Sequence, residues 1–275
     1  VCVEQEQRHA QYVLLGIGGA RALRTLGIDP GVVHLNEGHA ALAPLQLGAD
    51  DGGIASARER VVFTTHTPVP AGNDSYPSER VQKALAGVVT ELGLDQEELI
   101  ALGRTHPENR DEEFGMTQAA LRLSRAANGV SARHGGVARS MWTELWPGRA
   151  AEAIPIGHVT NGVHVPTWMG PEIRDVLLEG LGDRWRHETD DAEAWAGVDE
   201  LADETLWAAR GQQRRRLIEF IRARSTLDRL ARTDLRDYVE AAAHVFDPEV
   251  LTIGFARRVA TYKRLDLLTR DPEWT

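Results

Sequence analysis

The stretch GVVHLNEGHAALAPLQL (residues 31–47) changes from one hydrophobic pattern to another within a few positions. Residues 31–36 are a short apolar run, which is typical of a buried strand. After Asn36 the apolar residues recur at helical spacing. A strand that leads directly into a helix indicates the α/β class, in which helices cover a parallel sheet.

Three further stretches continue this alternation. The runs RVVFTTH (60–66), AAEAIPIGHVTNGVH (150–164) and EVLTIGFA (249–256) are predicted to be strands. Helical periodicity predicts helices in the first 26 residues, two over 78–103 split at Gly93, two over 117–146 split at Asn128-Gly129, one from near Pro171, one over 200–232 and one over 235–245. Together these elements predict a parallel sheet covered by helices.

The composition restricts the class of protein. A chain of 275 residues that is 42% hydrophobic can bury a core in one large domain or two smaller ones. A net charge of −10 argues against a general nucleic-acid surface, so any anion site must be local. Cys2 is the only cysteine, and no stretch has the apolar length of a membrane span. We expect a cytoplasmic protein that binds neither nucleic acid nor membrane.

Each predicted strand ends in residues whose side chains form hydrogen bonds. The first is followed by Glu37 and His39, the second ends at His66, and the third is followed by Asn161. Ligands of open parallel sheets bind beyond the carboxyl ends of the strands. Three exits suit neutral hydroxyl partners, whereas the fourth continues into cations. This combination predicts a sugar pocket that faces a small anion.

Each of these residues also has a purely structural interpretation. His66 could be a satisfied structural histidine, Asn161-Gly162 could be a simple turn, and Glu37 could cap the helix that follows it. A metal site at His34, Glu37 and His39 is rejected, because this spacing does not match the zinc-protease pattern. The segment GIGGAR (16–21) is not taken as a dinucleotide loop, because it lies within a helical pattern with no strand before it.

The fourth predicted strand runs into FARRVATYKR (255–264), which holds four cations: Arg257, Arg258, Lys263 and Arg264. Arginine presents a planar fork to phosphate oxygens, and lysine adds a point charge. In a chain of net charge −10, such a cluster favours a local phosphate site over a solvated charge run.

Five ordered segments resemble the α-glucan phosphorylases, the family of glycogen, starch and maltodextrin phosphorylases, and most of all its shorter bacterial subgroup. They are VVHLNEGHAAL (32–42), VVFTTHTPVPAGND (61–74), ANGVSARHGGVARSMW (127–142), HVTNGVHVPTWM (158–169) and LTIGFARRVATYKRLDLL (251–268). The resemblance implies a two-lobed glycosyltransferase (GT-B) fold of facing Rossmann-like domains. It assigns residues 1–168 to the later part of the N-terminal domain, 169–248 to interdomain helices, and 249–275 to the start of a C-terminal domain.

The resemblance also implies an activity, which is reversible phosphorolysis of terminal α-1,4-linked glucose to glucose 1-phosphate. His66 would contact the glucose, Asn161 would hold its 6-hydroxyl group, and Glu37 and His39 would line the substrate site. The resemblance implies that Arg258 and Lys263 bind the substrate phosphate, with His66, Arg258 and Lys263 forming the catalytic set. The expected partners are an α-1,4-glucan and inorganic phosphate, and a homo-oligomer stays open.

Arg257 would lie near the phosphate of pyridoxal phosphate, the cofactor that the family carries on a lysine. The family has that lysine far downstream, and the only lysines here are Lys83 and Lys263. We therefore expect a fragment that is inactive alone. The alternatives are a nucleotide-sugar glycosyltransferase related to glycogen synthase and a glucan-binding protein without activity.

Overall fold

The structure is a computed structural model that describes residues 5–256 and 263–271. The chain divides into two compact units, Val1–Gly162 and Val163–Thr275. Each unit has a hydrophobic cluster of its own, so each is described separately. The three-part division expected from the resemblance, at residues 168 and 248, stays a prediction.

The first unit is built on a parallel sheet. Its strands, in chain order, are β1 (Val33–Asn36), β2 (Val61–Thr64), β3 (Ser75–Tyr76), β4 (Phe114–Gly115), β5 (Ala126–Gly129) and β6 (Ile156–His158). Four of them form one sheet in the order β1-β2-β5-β6, and every pair in it is parallel. The remaining two form a small antiparallel ribbon. The predicted α/β class with a parallel sheet is confirmed.

Two helices, α1 (Gln5–Val13) and α2 (Gly19–Thr25), precede β1. Helices also connect consecutive strands of the sheet, as a parallel arrangement requires. They are α3 (Ala43–Asp50) and α4 (Gly53–Glu59) before β2, α5 (Ser78–Leu92), α6 (Gln96–Ala101) and α7 (Met116–Arg122) before β5, and α8 (Ala132–Met141) before β6. A π-helical turn, Leu14–Gly18, joins the first two without a break, so residues 16–21 are helical as expected. The predicted split at Gly93 is also confirmed, because Gly93 ends α5 with a φ of 66° that favours glycine.

One strand of the sheet differs from the prediction. The sequence predicts a break between two helices at Asn128-Gly129, but residues 126–129 form β5 between β2 and β6. The segment AANG has no β-branched residue and contains a turn-like dipeptide, so local propensity opposes a strand. Its two neighbouring strands provide partners on both edges, and this tertiary pairing overrides the propensity.

The core of the first unit lies where the helices meet the sheet. Leu35 of β1, Phe63 of β2 and Leu45 of α3 are all fully buried. Leu35 and Phe63 are register partners, and Phe63 is also paired with Ala127 of β5. These apolar contacts fix the alignment of the strands and therefore the relative position of the loops that follow them.

Helix α1 is fixed to the β3 segment by a group of polar and aromatic residues. The Tyr12 hydroxyl donates to Asp74 Oδ2 at 2.5 Å, and Arg8 forms an ion pair with the same carboxylate at 2.8 Å. Burial and the adjacent Asp74 together raise the pKa of Tyr12. The ring of His9 is buried at 4.6 Å from the ring of Tyr76, whose pKa burial raises to about 12.

His9 makes the stability of the first unit depend on pH. Burial, and secondly the positive charge of Arg80, lower the pKa of His9 below its usual value. The unfolded chain therefore binds a proton near pH 6.5 that the folded chain does not, so stability falls as the pH drops below that value. We expect His9→Gln to remove up to about 1.4 kcal/mol per pH unit from this dependence in urea unfolding between pH 7 and 5. An equal pH dependence of the free energy of unfolding in the wild-type protein and in His9→Gln would contradict this explanation.

The second unit is helical in the part that the structure describes. Its helices are α9 (Val165–Trp168), α10 (Pro171–Leu181), α11 (Asp203–Ala231) and α12 (Arg236–Ala242). Trp185 is 1% exposed and packs in a small cluster with Leu177 and Ala194. The helices predicted near Pro171 and over 200–232 and 235–245 are confirmed. No helix among residues 5–256 and 263–271 is long and apolar enough to cross a membrane.

The predicted fourth strand is not formed. Residues 251–256 have no regular secondary structure, and apolar side chains such as Leu251 (86% exposed) and Ile253 (70% exposed) face solvent. A strand requires a neighbour for its ladder and a surface for its apolar face, and residues 5–256 and 263–271 supply neither at this segment. The prediction of a strand over 249–256 is therefore wrong for this structure.

Candidate active site

The loops that follow the parallel strands lie side by side at the carboxyl edge of the sheet. Three backbone hydrogen bonds join neighbouring chain segments at this edge. The Glu37 N–H donates to the Thr64 carbonyl at 2.9 Å, and the Thr65 N–H donates to the Asn128 carbonyl at 3.0 Å. The Asn161 N–H donates to the Val130 carbonyl at 3.1 Å. The loops are thus joined in the order of the strands, β1, β2, β5 and β6. This edge is where ligands bind in open parallel sheets.

Polar side chains predicted from the sequence are present at this edge. His39, His66 and Asn161 are exposed there, and the ring of His39 lies 5.1 Å from the ring of Tyr12. The fold therefore places one predicted residue from each of three different loops along one surface. Imidazole and amide groups both donate and accept hydrogen bonds, so this surface suits hydroxyl groups better than ions.

Glu37 connects the first two loops by its side chain. Its Oε1 accepts hydrogen bonds from the backbone N–H of His66 and, at 2.9 Å, from the Thr67 hydroxyl. Glu37 makes no side-chain capping bond to the helical turn that follows it. The expectation that Glu37 caps this turn is wrong, because the N–H group that its carboxylate binds belongs to the neighbouring loop.

A second polar network crosses three strands. His34 Nε2 lies 2.7 Å from Thr64 Oγ1, and that hydroxyl donates to Asn128 Oδ1 at 3.0 Å. His34 is thus part of a hydrogen-bond network that runs along the sheet edge. No group of three histidine, cysteine or acidic residues could hold a metal within residues 5–256 and 263–271.

Helix α8, which begins three residues after β5, contributes a buried histidine that the sequence patterns did not indicate. His134 is 9% exposed, and its Nδ1 accepts from the Val130 N–H at 3.1 Å. Ser131 caps α8 by accepting from the His134 N–H at 3.1 Å. The helix predicted after Gly129 is confirmed as α8, but the sequence patterns do not indicate that residues 126–129 form a strand, and this strand end sets where Ser131 and His134 lie.

The basic segment belongs to the second unit and is only partly described. Arg257 and Arg258 lie outside the described residues. Lys263 is half-buried, and Arg264 is exposed with a φ of 47°. The assignment of Arg257, Arg258 and Lys263 to phosphate stays a prediction.

The backbone of Glu37 carries strain that predicts an unusual order of variant stabilities. Its φ of 63° and ψ of −177° lie in a region used almost only by glycine, which costs about 1–3 kcal/mol. Glu37→Ala loses the carboxylate and keeps the strain, whereas Glu37→Gly loses the carboxylate and relieves the strain. We expect the glycine variant to be more stable than the alanine variant by about 1 kcal/mol in urea unfolding.

The exposed residue Ala86, in the interior of α5, is the control. There alanine should be more stable than glycine by about 0.5–1 kcal/mol, which is the usual order. The same order at position 37 would show that its backbone is not strained.

Curated proteins of known name are similar to this chain over 98% of its length. Maltodextrin phosphorylase from Thermococcus litoralis is 41% identical over 278 residues, which are 32% of that protein. Glycogen phosphorylase from Mycobacterium tuberculosis is 40% identical, and that from Aquifex aeolicus is 34% identical; the matches cover 33% and 40% of these proteins. The chain thus spans between about a third and two fifths of the length of these relatives. No protein-family model matches it.

Proposed function

The chain belongs to the α-glucan phosphorylase family, and we propose that the full-length protein cleaves terminal α-1,4-linked glucose from a glucan with inorganic phosphate. The product is glucose 1-phosphate, and the reaction is reversible. The names of the relatives support this activity, since each is a glycogen or maltodextrin phosphorylase.

The observation that carries the proposal is the row of joined loops at the carboxyl edge of the sheet. Glu37 and Asn161, at the two ends of this row, are connected to the intervening loops by hydrogen bonds of 2.9 to 3.1 Å. Such a row presents fixed donors and acceptors to a ring of hydroxyl groups, which is the chemistry that a terminal glucose offers.

Each side chain of this row has a proposed role. His66 contacts the glucose unit next to the bond that breaks, and Asn161 binds its 6-hydroxyl group. Glu37 and His39 complete the sugar-binding surface. All four residues follow strands of one sheet, so their positions are set by the core and not by flexible loops alone.

The phosphate side of the site is proposed to come from the basic segment. Arg258 and Lys263 bind the substrate phosphate, and Arg257 lies near a second phosphate group. Guanidinium and ammonium groups make strong charge-assisted hydrogen bonds to phosphate oxygens. This part of the proposal depends on the motif in residues 255–264, since Arg257 and Arg258 are outside the described residues.

These two sets of groups match the needs of phosphorolysis. The bond between C1 of the terminal glucose and the glycosidic oxygen breaks, an oxygen of hydrogenphosphate bonds to C1, and the departing oxygen receives the proton that the hydrogenphosphate carried. Positive charge develops at C1, so a phosphate held by cations stabilises the transition state. Exclusion of water is also needed, because water would otherwise compete with phosphate for C1.

We propose that neither lysine of this chain carries pyridoxal phosphate covalently. A lysine that binds an aldehyde cofactor is desolvated or placed beside another cation. Lys83 is exposed on α5, and Lys263 is assigned to the substrate phosphate. We expect the 275-residue chain alone to retain no stoichiometric pyridoxal phosphate after dialysis. A retained absorbance band that Lys263→Ala abolishes would contradict this expectation.

The activity is tested by incubating the full-length protein with maltodextrin and inorganic phosphate. Formation of glucose 1-phosphate, followed by a coupled assay, is the expected result. Turnover of ADP-glucose or UDP-glucose without phosphorolysis would instead identify a nucleotide-sugar glycosyltransferase. Saturable maltodextrin binding with neither reaction would identify a glucan-binding protein.

A further inference from the structure

Glu37 combines two features that are rarely found together. Its backbone adopts a conformation with φ 63° and ψ −177°, which is strongly disfavoured for residues other than glycine. It is nevertheless a large charged residue, and it lies directly at the end of β1. A strained residue at a ligand-binding edge indicates that its side chain does something that glycine could not do.

The side chain of Glu37 forms a clamp between two loops. The backbone N–H of His66 and the hydroxyl of Thr67 both donate to Oε1, and the Thr65 hydroxyl lies at the limit of hydrogen-bond distance, 3.5 Å from the same oxygen. The Glu37 N–H in turn donates to the Thr64 carbonyl at 2.9 Å. Residues 64–67 are therefore held by Glu37 through consecutive contacts.

The strain and the clamp are physically linked. Glu37 forms hydrogen bonds to residues 64–67 through both its backbone N–H and its Oε1. It makes both contacts while its backbone has the disfavoured angles. The next residue is also closely packed, because a Cβ atom at Gly38 would approach the Cβ of Met116 to 3.0 Å. Hydrogen bonds to a carboxylate are stronger than those between neutral groups, so they can offset the strain.

We infer that Glu37 is a positioning residue that acts through His66, and that its Oε1 fixes the His66 backbone for the reaction. This inference rests on the proposed function. It adds to that function that Glu37 supports turnover through the position of His66, and does not serve sugar affinity alone. Sub-ångström placement of a group beside the reacting bond affects turnover more than binding.

Three variants of the full-length protein test the inference by kinetics. Glu37→Ala removes the acceptor, and we expect kcat for phosphorolysis to fall by about 100-fold with KM for maltodextrin changed by less than about threefold. Glu37→Gln keeps an oxygen that accepts the same hydrogen bonds, and it should restore kcat to within about tenfold of the wild-type value. Glu59→Gln, on the surface of α4, is the matched control and should leave both constants unchanged.

The position of His66 is tested independently of activity by amide hydrogen exchange in the 275-residue chain. We expect Glu37→Ala to accelerate exchange of the His66 amide by at least about tenfold, and Glu37→Gln to restore protection. Unchanged exchange, or a kinetic loss that Glu37→Gln shares in full, would overturn the inference. If the wild-type protein forms no glucose 1-phosphate, the proposed function fails, and the exchange measurement still decides whether Glu37 holds His66.

Discussion

Replacing Arg258 by alanine in the full-length protein is expected to lower kcat/KM for phosphate by about 10²–10³-fold, the loss typical of one charge-stabilising donor. Affinity for maltodextrin should change by less than about threefold, because Arg258 is assigned to the anion and not to the sugar. The two effects are separated by varying phosphate at saturating maltodextrin and then measuring maltodextrin binding directly.

An arginine twelve positions later in the sequence provides the control for this prediction. Arg270 is exposed and forms an ion pair with Asp266 at 2.5 Å, four positions earlier in the chain. Arg270→Ala should leave the use of phosphate unchanged, since an exposed ion pair contributes little. Equal losses for phosphate and maltodextrin in Arg258→Ala would indicate a structural role for Arg258.

The second large effect is expected in the core below the site. Phe63 is fully buried in β2, with β1 on one side and β5 on the other. Phe63→Ala leaves a cavity there, and we expect it to lower the free energy of unfolding by about 3–5 kcal/mol. Urea unfolding of the 275-residue chain measures this loss.

Val159 is the matched control, since it is also an apolar residue of the first unit but is 65% exposed. Val159→Ala should change the free energy of unfolding by less than about 0.5 kcal/mol. Similar losses in the two variants would mean that β2 does not form the centre of the core. His66 follows β2 by two residues, so the core residue Phe63 also determines where His66 is placed.

The sequence predicted most of the fold of the first unit. Hydrophobic runs identified β1, β2 and β6, because the apolar runs there are longer, or richer in β-branched residues, than the sequence around them. The strand β5 was missed, because AANG is recognised only by the neighbouring strands that pair with it. The opposite error occurred at 249–256, where a strand-like sequence has no pairing partner among residues 5–256 and 263–271.

The strand ends that precede Glu37, His66 and Asn161 were predicted from the hydrophobic runs, and parallel strands place such ends at one edge of the sheet. The assignment of these residues to a substrate site stays a prediction. The contact between Glu37 and His66 could not be predicted, since it joins residues 29 positions apart through an unusual backbone conformation. The buried position of His134 depends on β5 and was missed for the same reason as that strand.

We propose that the neutral polar edge binds the sugar and that the cationic segment 255–264 binds the phosphate in the full-length protein. An experimental structure of the full-length protein with glucose 1-phosphate bound tests this claim most directly. We predict that His66 and Asn161 contact the glucose ring while the Arg258 guanidinium binds the phosphate of the same molecule. An Arg258 side chain in bulk solvent, remote from a sugar bound at His66 and Asn161, would contradict the account.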